Sequence, residues 1–452
     1  MMRRGTILVA VLVLVALAVL AAGALMYRTQ AEVTAAVTGA RRQQAFSAAM
    51  SGLQRAMAMA GNYKSNKEMW YDNPDLFKDQ LVCDDGANQW FFTIYAYNPI
   101  EPDTLRHGLD DEAARINLNT ADANALMALP NMTAELVDCL LDYRDADNVP
   151  HPQGAEQDYY SQLPHPYLIR NGPLSTLEEV LLIKGFYASI VYGEDYNLNC
   201  LLEKNEDDHD ESFPPDDGDG KLNRGLIGVA TVWSYEPNVD SQGKTRTNLR
   251  AGIPPAGVVT EQVDEFLECL RADGNSLADP SELLEAKHKL KRAFAKHKAG
   301  DVVESGVKAA DLPGVMDKLT TKGPIVAGLV NVNTAGADVL AALPGVGTEL
   351  AERIVASRQQ VDPAVTGTVA WLYTESVVPA DKFKEIAPLL TARSYQFHVH
   401  CVAYGWPCGQ FRVIEAVIDT ARGAPRIIYQ RDLTKLGLPY PIDVEQKERV
   451  QK

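Results

Sequence analysis

Residues 1–28 read MMRRGTILVAVLVLVALAVLAAGALMYR, and the fate of that stretch decides how the rest is arranged. From Thr6 to Met26 there are 21 residues without a charge. As a helix such a run covers about 30 Å, the thickness of a bilayer core, and it exceeds the roughly 7–15 apolar residues of a removable secretory signal. Ala21-Ala22-Gly23 imitates a signal-peptidase site, so ordinary cleavage is the alternative. Arg3 and Arg4 place the start of the chain on the cytoplasmic side of a membrane, with the bulk outside.

Helical character continues past Arg28. The segment AEVTAAVTGARRQQAFSAAMSGLQRAMAMAG has no proline and repeats apolar residues at three- and four-residue spacings. Ala35, Val37, Phe46, Met50, Leu53, Met57 and Met59 are the expected apolar face, with Arg41, Arg42 and Arg55 in water. One helix of about 50 residues, half in lipid and half amphipathic, is the simplest expectation. A single-pass anchor followed by a separate packed helix is the alternative.

The net charge is −17, unevenly spread: six arginines and one glutamate in the first 61 residues leave −22 for the remainder. A field of that sign repels nucleic acid and suits calcium or basic protein partners. The six cysteines form no CxxC and no Cys/His cluster at zinc spacing, which argues against a metal–thiolate site. Cys401 and Cys408 bracket a turn between two strand-like runs and are a candidate disulfide; two buried free thiols are the alternative.

An internal repeat organises the chain beyond the helix. INLNTADANALMALPNMTAELVDCLLDYR (Ile116 to Arg144) aligns without a gap to VNVNTAGADVLAALPGVGTELAERIVASR (Val330 to Arg358), with twelve of 29 positions identical. Each copy reads as helix, hairpin, helix, with Thr120 or Thr334 as the expected N-cap and Pro130 or Pro344 ending the first helix. Ser175 to Glu178 reads as a capping box opening a further helix. A weaker echo lies between the copies, where Thr231 to Gly252 resembles Thr93 to Ala121 and repeats Arg-x-Asn-Leu. Thr260 to Ala299 reads as a charged helical insertion. YQFHVHCVAY, QFRVIEAVID and PRIIYQRD alternate apolar and polar residues and predict a three-strand antiparallel meander.

The repeat resembles the helix-hairpin-helix motif, whose DNA-binding forms aim hairpin backbone N–H groups at a phosphate. Copy two keeps the hairpin as Pro344, Gly345, Val346 and Gly347, but Glu349 follows; copy one has Pro130 and Asn131 and no glycine. With the −22 field this argues against nucleic acid and for packing units or a protein-binding surface.

The N-terminus resembles a type IV pilin-like precursor, with a basic leader ending at Gly5 and a mature chain beginning at Thr6. Most such proteins carry a glutamate where this chain has Ala10, and its absence is a feature of the K-type minor pseudopilins of type II secretion systems. An anchor, a helical insertion carrying helix-hairpin-helix motifs and a strand meander occur in that family in this order. The resemblance implies an α+β fold: a pilin-like long N-terminal helix packed on an antiparallel sheet, with inserted helical domains. It implies cleavage by a prepilin peptidase and a single-pass anchor in the bacterial inner membrane, with the bulk in the periplasm. It further implies a place at the pseudopilus tip, with other minor pseudopilins, in protein export across the outer membrane. A membrane-anchored DNA receptor of the competence type is the alternative.

The expected segments on this basis are 1–5 leader, 6–26 membrane half and 27–61 amphipathic half of the helix, and 62–110 the start of the sheet. They continue with 111–204 first helical module, 205–225 acidic linker, and 226–327 second strand segment with the helical insertion. Last come 328–394, the second helical module, and 395–452, the strand meander.

Members of that family bind calcium. The local candidates are Asp216, Asp217, Asp219 and Asn223, of which the last three fit positions three, five and nine of an EF-hand-type loop. Positions one and twelve are Pro215 and Leu226, so the ligand set is incomplete, and a solvated acidic linker is the competing reading. His398 and His400 share one strand face with no third ligand apparent, which favours a packed or wet pair over a metal site. No GxSxG, HExxH or Walker motif is present, and no enzymatic activity is expected.

Overall fold

The structure, a computed structural model, describes residues 5–250 and 259–442. Helix α1 (Gly5–Tyr63) is continuous over 59 residues, or about 88 Å at 1.5 Å per residue, so no separate second helix follows the apolar run. Its apolar start is bare, with Ile7, Leu8 and Leu20 all about two-thirds exposed. It is the one helix among the described residues that is long and apolar enough to cross a membrane. Met1 to Arg4 of the expected leader lie outside the described residues.

The packed half of α1 begins later than hydropathy suggests. Val33, Ala35 and Val37 are exposed, because the sheet does not reach them. The face that packs is Ala45, Ala48, Ala49, Gly52, Leu53, Ala56 and Ala60, mostly small residues at helical spacing. A Cβ at Gly52 would lie 2.6 Å from Cys401 Sγ and 3.0 Å from the Phe92 ring. Small residues here let the helix backbone approach the sheet closely. Arg55 is half-buried rather than wet, its guanidinium near the Leu76 carbonyl.

The main sheet has the order β1 (Gln80–Asp84), β2 (Gln89–Tyr97), β3 (Gln396–Trp406), β4 (Phe411–Asp419), β5 (Arg426–Asp432), all antiparallel. Two-residue strands at Leu105–Arg106 and Asp110–Asp111 pair with β2 and β3. Strands β3 to β5 are the meander that the alternating pattern predicts. Alternation also sorts the two faces of β3. Phe397, Val399, Cys401 and Ala403 pack with α1, while Val402 joins the core of the helical region. Everything from Asn98 to Tyr395 is inserted between the neighbouring strands β2 and β3.

That insertion contains three units closed in one way. Ile116–Asn117 pairs in parallel with Ala230–Thr231, Thr247–Asn248 with Leu319–Thr320, and Val330–Asn331 with Leu390–Thr391. The next amide completes each ladder: Leu118 to Thr231 and Leu249 to Thr320 at 2.8 Å, Val332 to Thr391 at 3.0 Å. In each, the asparagine Oδ1 accepts the amide two residues on, from Asn119, Arg250 or Asn333.

The helices that follow the opening strands of these units are α2 (Ala123–Met127) and α3 (Ala134–Arg144) in the first and α4 (Glu261–Ala272) in the middle one. The last unit has α5 (Ala337–Ala341) and α6 (Gly347–Arg358). An arginine at the end of the longer helix ties back to the opening strand every time. Arg144 donates to the Leu118 carbonyl, Arg271 to Leu249 and Arg358 to Val332. The faint echo around Arg246 to Leu249 therefore marks a third unit of the same construction. Residues 251–258 of it lie outside the described residues.

Three local expectations differ from what forms. Asp122, not Thr120, caps α2 through the Ala125 amide at 2.8 Å, and Thr334 gives its hydroxyl to Asp111 at 2.7 Å instead of capping α5. Leu177–Leu182 is a 3₁₀ helix without a side-chain cap, although Glu179 does accept the Ser175 amide at 2.8 Å. The charged stretch after Thr260 is helical only through Ala272. Gly274, at φ +76°, turns the chain there, and a hairpin of Lys287–Lys289 with Val302–Glu304 follows.

Candidate functional site

The hairpin between α2 and α3 and that between α5 and α6 share one left-handed position and diverge two residues later, where Thr133 is extended (φ −122°). Asn131 (φ +59°) and Gly345 (φ +80°) occupy equivalent left-handed positions, a conformation that asparagine tolerates better than most residues. Gly347 is also left-handed, at φ +69°. The second hairpin is covered. α7 (Ala380–Ile386) lays Glu385 where a Cβ on Gly345 would stand, and Lys382 Nζ donates to the Gly345 carbonyl at 2.7 Å. The closing arginines point inward to carbonyls.

Between the sheet and the first unit lies a buried ionic network. His398 donates from Nδ1 to Glu112 at 2.8 Å and from Nε2 to Glu415 at 2.9 Å. Burial opposes the His398 cation, yet these two carboxylates outweigh it and raise its pKa to about 9. Burial and the neighbouring His398 charge push His400 down to about 3. Asp110 is pushed up by burial, but Arg106 and Arg115 outweigh that and hold it at about 2. The two histidines and Glu415 are close enough to share a metal. Both nitrogens of His398 are already committed to carboxylates, however: His398 joins sheet to insertion as an ion pair with Glu112 and Glu415, with a neutral His400 beside it.

The third feature follows α3. Asp145 ends that helix, and the loop to Glu156 folds over Asp142, whose carboxylate accepts the His151 amide at 3.1 Å. Gly154 is required here because a Cβ would overlap the Asp142 carboxylate. Asp145, Asp147 and Glu156 bring one oxygen each within 4.8 Å of one another. Glu156 is only 5% exposed, and neither of its carboxylate oxygens has a hydrogen-bond partner. Burial, with Asp142, Asp145 and Asp147 nearby, raises its pKa to about 7. Unpartnered buried carboxylate oxygens beside two further acids suit a hard, oxygen-binding cation such as calcium. Sequence reasoning passed over these residues; the signal available was Asp-x-Asp at a helix end followed by Gly-Ala-Glu.

Residues 111–192 match the family model described as type II secretion system (T2SS), protein K. This segment is a protein K-like module. Residues 326–367 match the helix-hairpin-helix motif, which is the unit holding α5 and α6. The 111–192 segment follows a long helix with an apolar start and the first strands of an antiparallel sheet. Among solved structures, the chain is similar to one from the GspK–GspI–GspJ complex of the enterotoxigenic Escherichia coli type 2 secretion system. Identity is 13%, coverage is 90% of this chain and 99% of that one, and the TM-score is 0.43. No curated protein matches the sequence.

The acid cluster lies within the protein K module; the cation candidates read from sequence lie outside it. Asp216 accepts the amides of Asp208, His209, Asp210 and Gly218 and so caps its own loop. Asp217 accepts the Asp219 amide, Asp219 that of Lys221, and Asn223 that of Gly225, each bond two residues along the chain. These four side chains serve local turns and are not brought together around one point. Cys401 and Cys408 are free thiols with separate contacts, Cys401 toward the Ala49 carbonyl at 3.6 Å and Cys408 toward that of Gly405 at 3.5 Å. Strand pairing, not a bridge, closes that hairpin.

Proposed function

We propose that this chain is the minor pseudopilin at the tip of a type II secretion pseudopilus. In this reading a prepilin peptidase cuts between Gly5 and Thr6. The apolar half of α1 stays in the inner membrane until assembly, and the head lies in the periplasm. The observation that carries the proposal is the pairing of a protein K module with a long helix whose apolar half is bare and whose first turn holds no acid. Such a helix buries its apolar surface against lipid or partner helices. Without an acid at Ala10 it forms no ion pair with the N-terminal amine of another subunit, as befits a subunit with none beyond it.

The partners are other minor pseudopilins. Co-expression with those of the same secretion system is expected to give a stable complex on size exclusion. A chain that stays alone and instead binds duplex DNA tightly, in a salt-sensitive way, would favour the competence-type receptor. The Glu385 carboxylate over Gly345 supports the first reading.

A second proposal concerns the protein K module. Asp145, Asp147 and Glu156 would hold a calcium-class cation, which would neutralise the buried Glu156 and fix the loop over Asp142. Calcium is expected to raise the melting temperature of the full chain, with magnesium less effective. No shift with either ion would remove this reading and leave the tip assignment standing.

A further inference from the structure

Residues 287–298 read KHKLKRAFAKHK: six lysines and arginines, two histidines and no acid. In a chain of net charge −17 this +6 leaves −23 for the rest, so the stretch is a basic island on an acidic protein. It forms the arm and tip of the hairpin in the middle unit, where Lys289 faces Val302 and Lys287 faces Glu304. Its inner side is fixed. Leu290 and Val303 are buried in the cluster that holds Phe266 and Leu267 of α4. His288 lies 2.9 Å from Asp273, and His297 lies 2.6 Å from Glu265.

The outer side is different. Lys287 and Lys296 pair with Glu304 and Glu265 at 2.7 Å, but Lys289, Lys291 and Lys298 are exposed and have no carboxylate partner among the described residues.

We propose that this hairpin is a docking finger for an acidic patch on another folded protein, through Lys289, Lys291 and Lys298. Flexible ammonium groups suit carboxylates scattered over a protein surface, because they need no planar fit. A broad polyanion is disfavoured: a bilayer or duplex close enough to the finger meets the surrounding −23 as well. The finger also lacks a membrane wedge, since Leu290 is buried and Phe294 half-buried. A compact acidic patch within a Debye length of about 8 Å feels the lysines before the rest of the field. The inference does not depend on the position of the subunit in a pilus.

The test uses the full chain in detergent and a short fluorescein-labelled poly-glutamate peptide, read by anisotropy. Binding is expected at ~50 mM salt and its loss at ~500 mM. The triple variant Lys289→Glu/Lys291→Glu/Lys298→Glu is expected to weaken it by about tenfold or more, and the matching Lys→Gln triple by less. A control triple, Lys221→Glu/Lys244→Glu/Lys435→Glu, changes net charge equally elsewhere and should bind clearly better than the hairpin triple. Circular dichroism checks that each variant is folded. Absence of binding, or equal loss in the control triple, overturns the proposal. So does binding of phosphatidylglycerol vesicles or lysine-dependent self-association in place of peptide binding, which would make a membrane or a second copy the occupant.

Discussion

Asp111 and Asn331, far apart in sequence, meet in the core: the Asn331 amide donates to the Asp111 carboxylate at 2.8 Å. The same carboxylate accepts Thr334 Oγ1 at 2.7 Å, Ser394 Oγ at 2.6 Å and the Ala113 amide at 2.9 Å. Asp111 stands just before the first unit, Asn331 opens the last, and Ser394 lies just before β3. One buried side chain thus gathers the start of the insertion, its last unit and its return to the sheet. Asp111→Ala leaves several buried donors without an acceptor and is expected to cost about 2–4 kcal/mol, read as a lower urea midpoint. Asp111→Asn should cost less, because it keeps an acceptor oxygen.

The contact between α1 and the sheet depends on the missing side chain at Gly52. Gly52→Val is expected to destabilise by about 1–3 kcal/mol by overpacking against Cys401 and Phe92. Shrinking the neighbour with Cys401→Ala should recover part of that loss. A double-mutant cycle on thermal unfolding gives the coupling; strict additivity would mean that the helix does not sit this close.

The His398 network sets a pH dependence. The pKa of His398 rises from 6.5 to about 9 on folding, so its contribution is complete below 6.5 and is lost as pH rises through 9. Glu415 is pushed up by burial, but His398 outweighs that and lowers it from 4.5 to about 2. Its contribution is complete above 4.5 and is lost as pH falls through 2. His400, lowered from 6.5 to about 3, must stay neutral in the fold and so subtracts stability as pH falls below 6.5. Denaturant midpoints should therefore be highest near 6.5 and fall towards 9. His398→Gln should lower the midpoint and flatten the alkaline fall. A midpoint that stays level up to 9 in the parent chain would contradict the ion pairing.

Calcium should stabilise through Glu156. At a hundredfold excess over its dissociation constant, a single site adds about 2.7 kcal/mol. Glu156→Gln removes a ligand charge and should abolish most of the calcium-induced rise in melting temperature. It should also leave the metal-free protein at least as stable, because the buried charge is gone. Asp217→Asn, in the acidic loop that the structure places inside the first unit, should leave the calcium response unchanged.

The strands were legible because alternation over YQFHVHCVAY is a direct image of a sheet with two buried faces. The packing face of α1 was less so. Ala45, Ala48, Ala49 and Gly52 rank low in hydropathy, although they decide how near the helix comes, while Ala35 and Val37 look apolar and meet nothing. The third unit was hidden by spacing. Asn117 to Arg144 and Asn331 to Arg358 span equal distances, whereas Asn248 to Arg271 is shorter by four residues, which an ungapped comparison does not register. Asp145, Asp147 and Glu156 were overshadowed by DDGDG, whose acids hold their own turns. Only the fold tells a carboxylate that caps a loop from one left without a donor.

The most direct test is intact-mass and N-terminal peptide mass spectrometry of the chain extracted from membranes of cells that contain a prepilin peptidase. A mature chain beginning at Thr6, with the apolar run retained, is the expected result. A chain still beginning at Met1, or one cut after Ala21-Ala22-Gly23, would contradict the pseudopilin assignment.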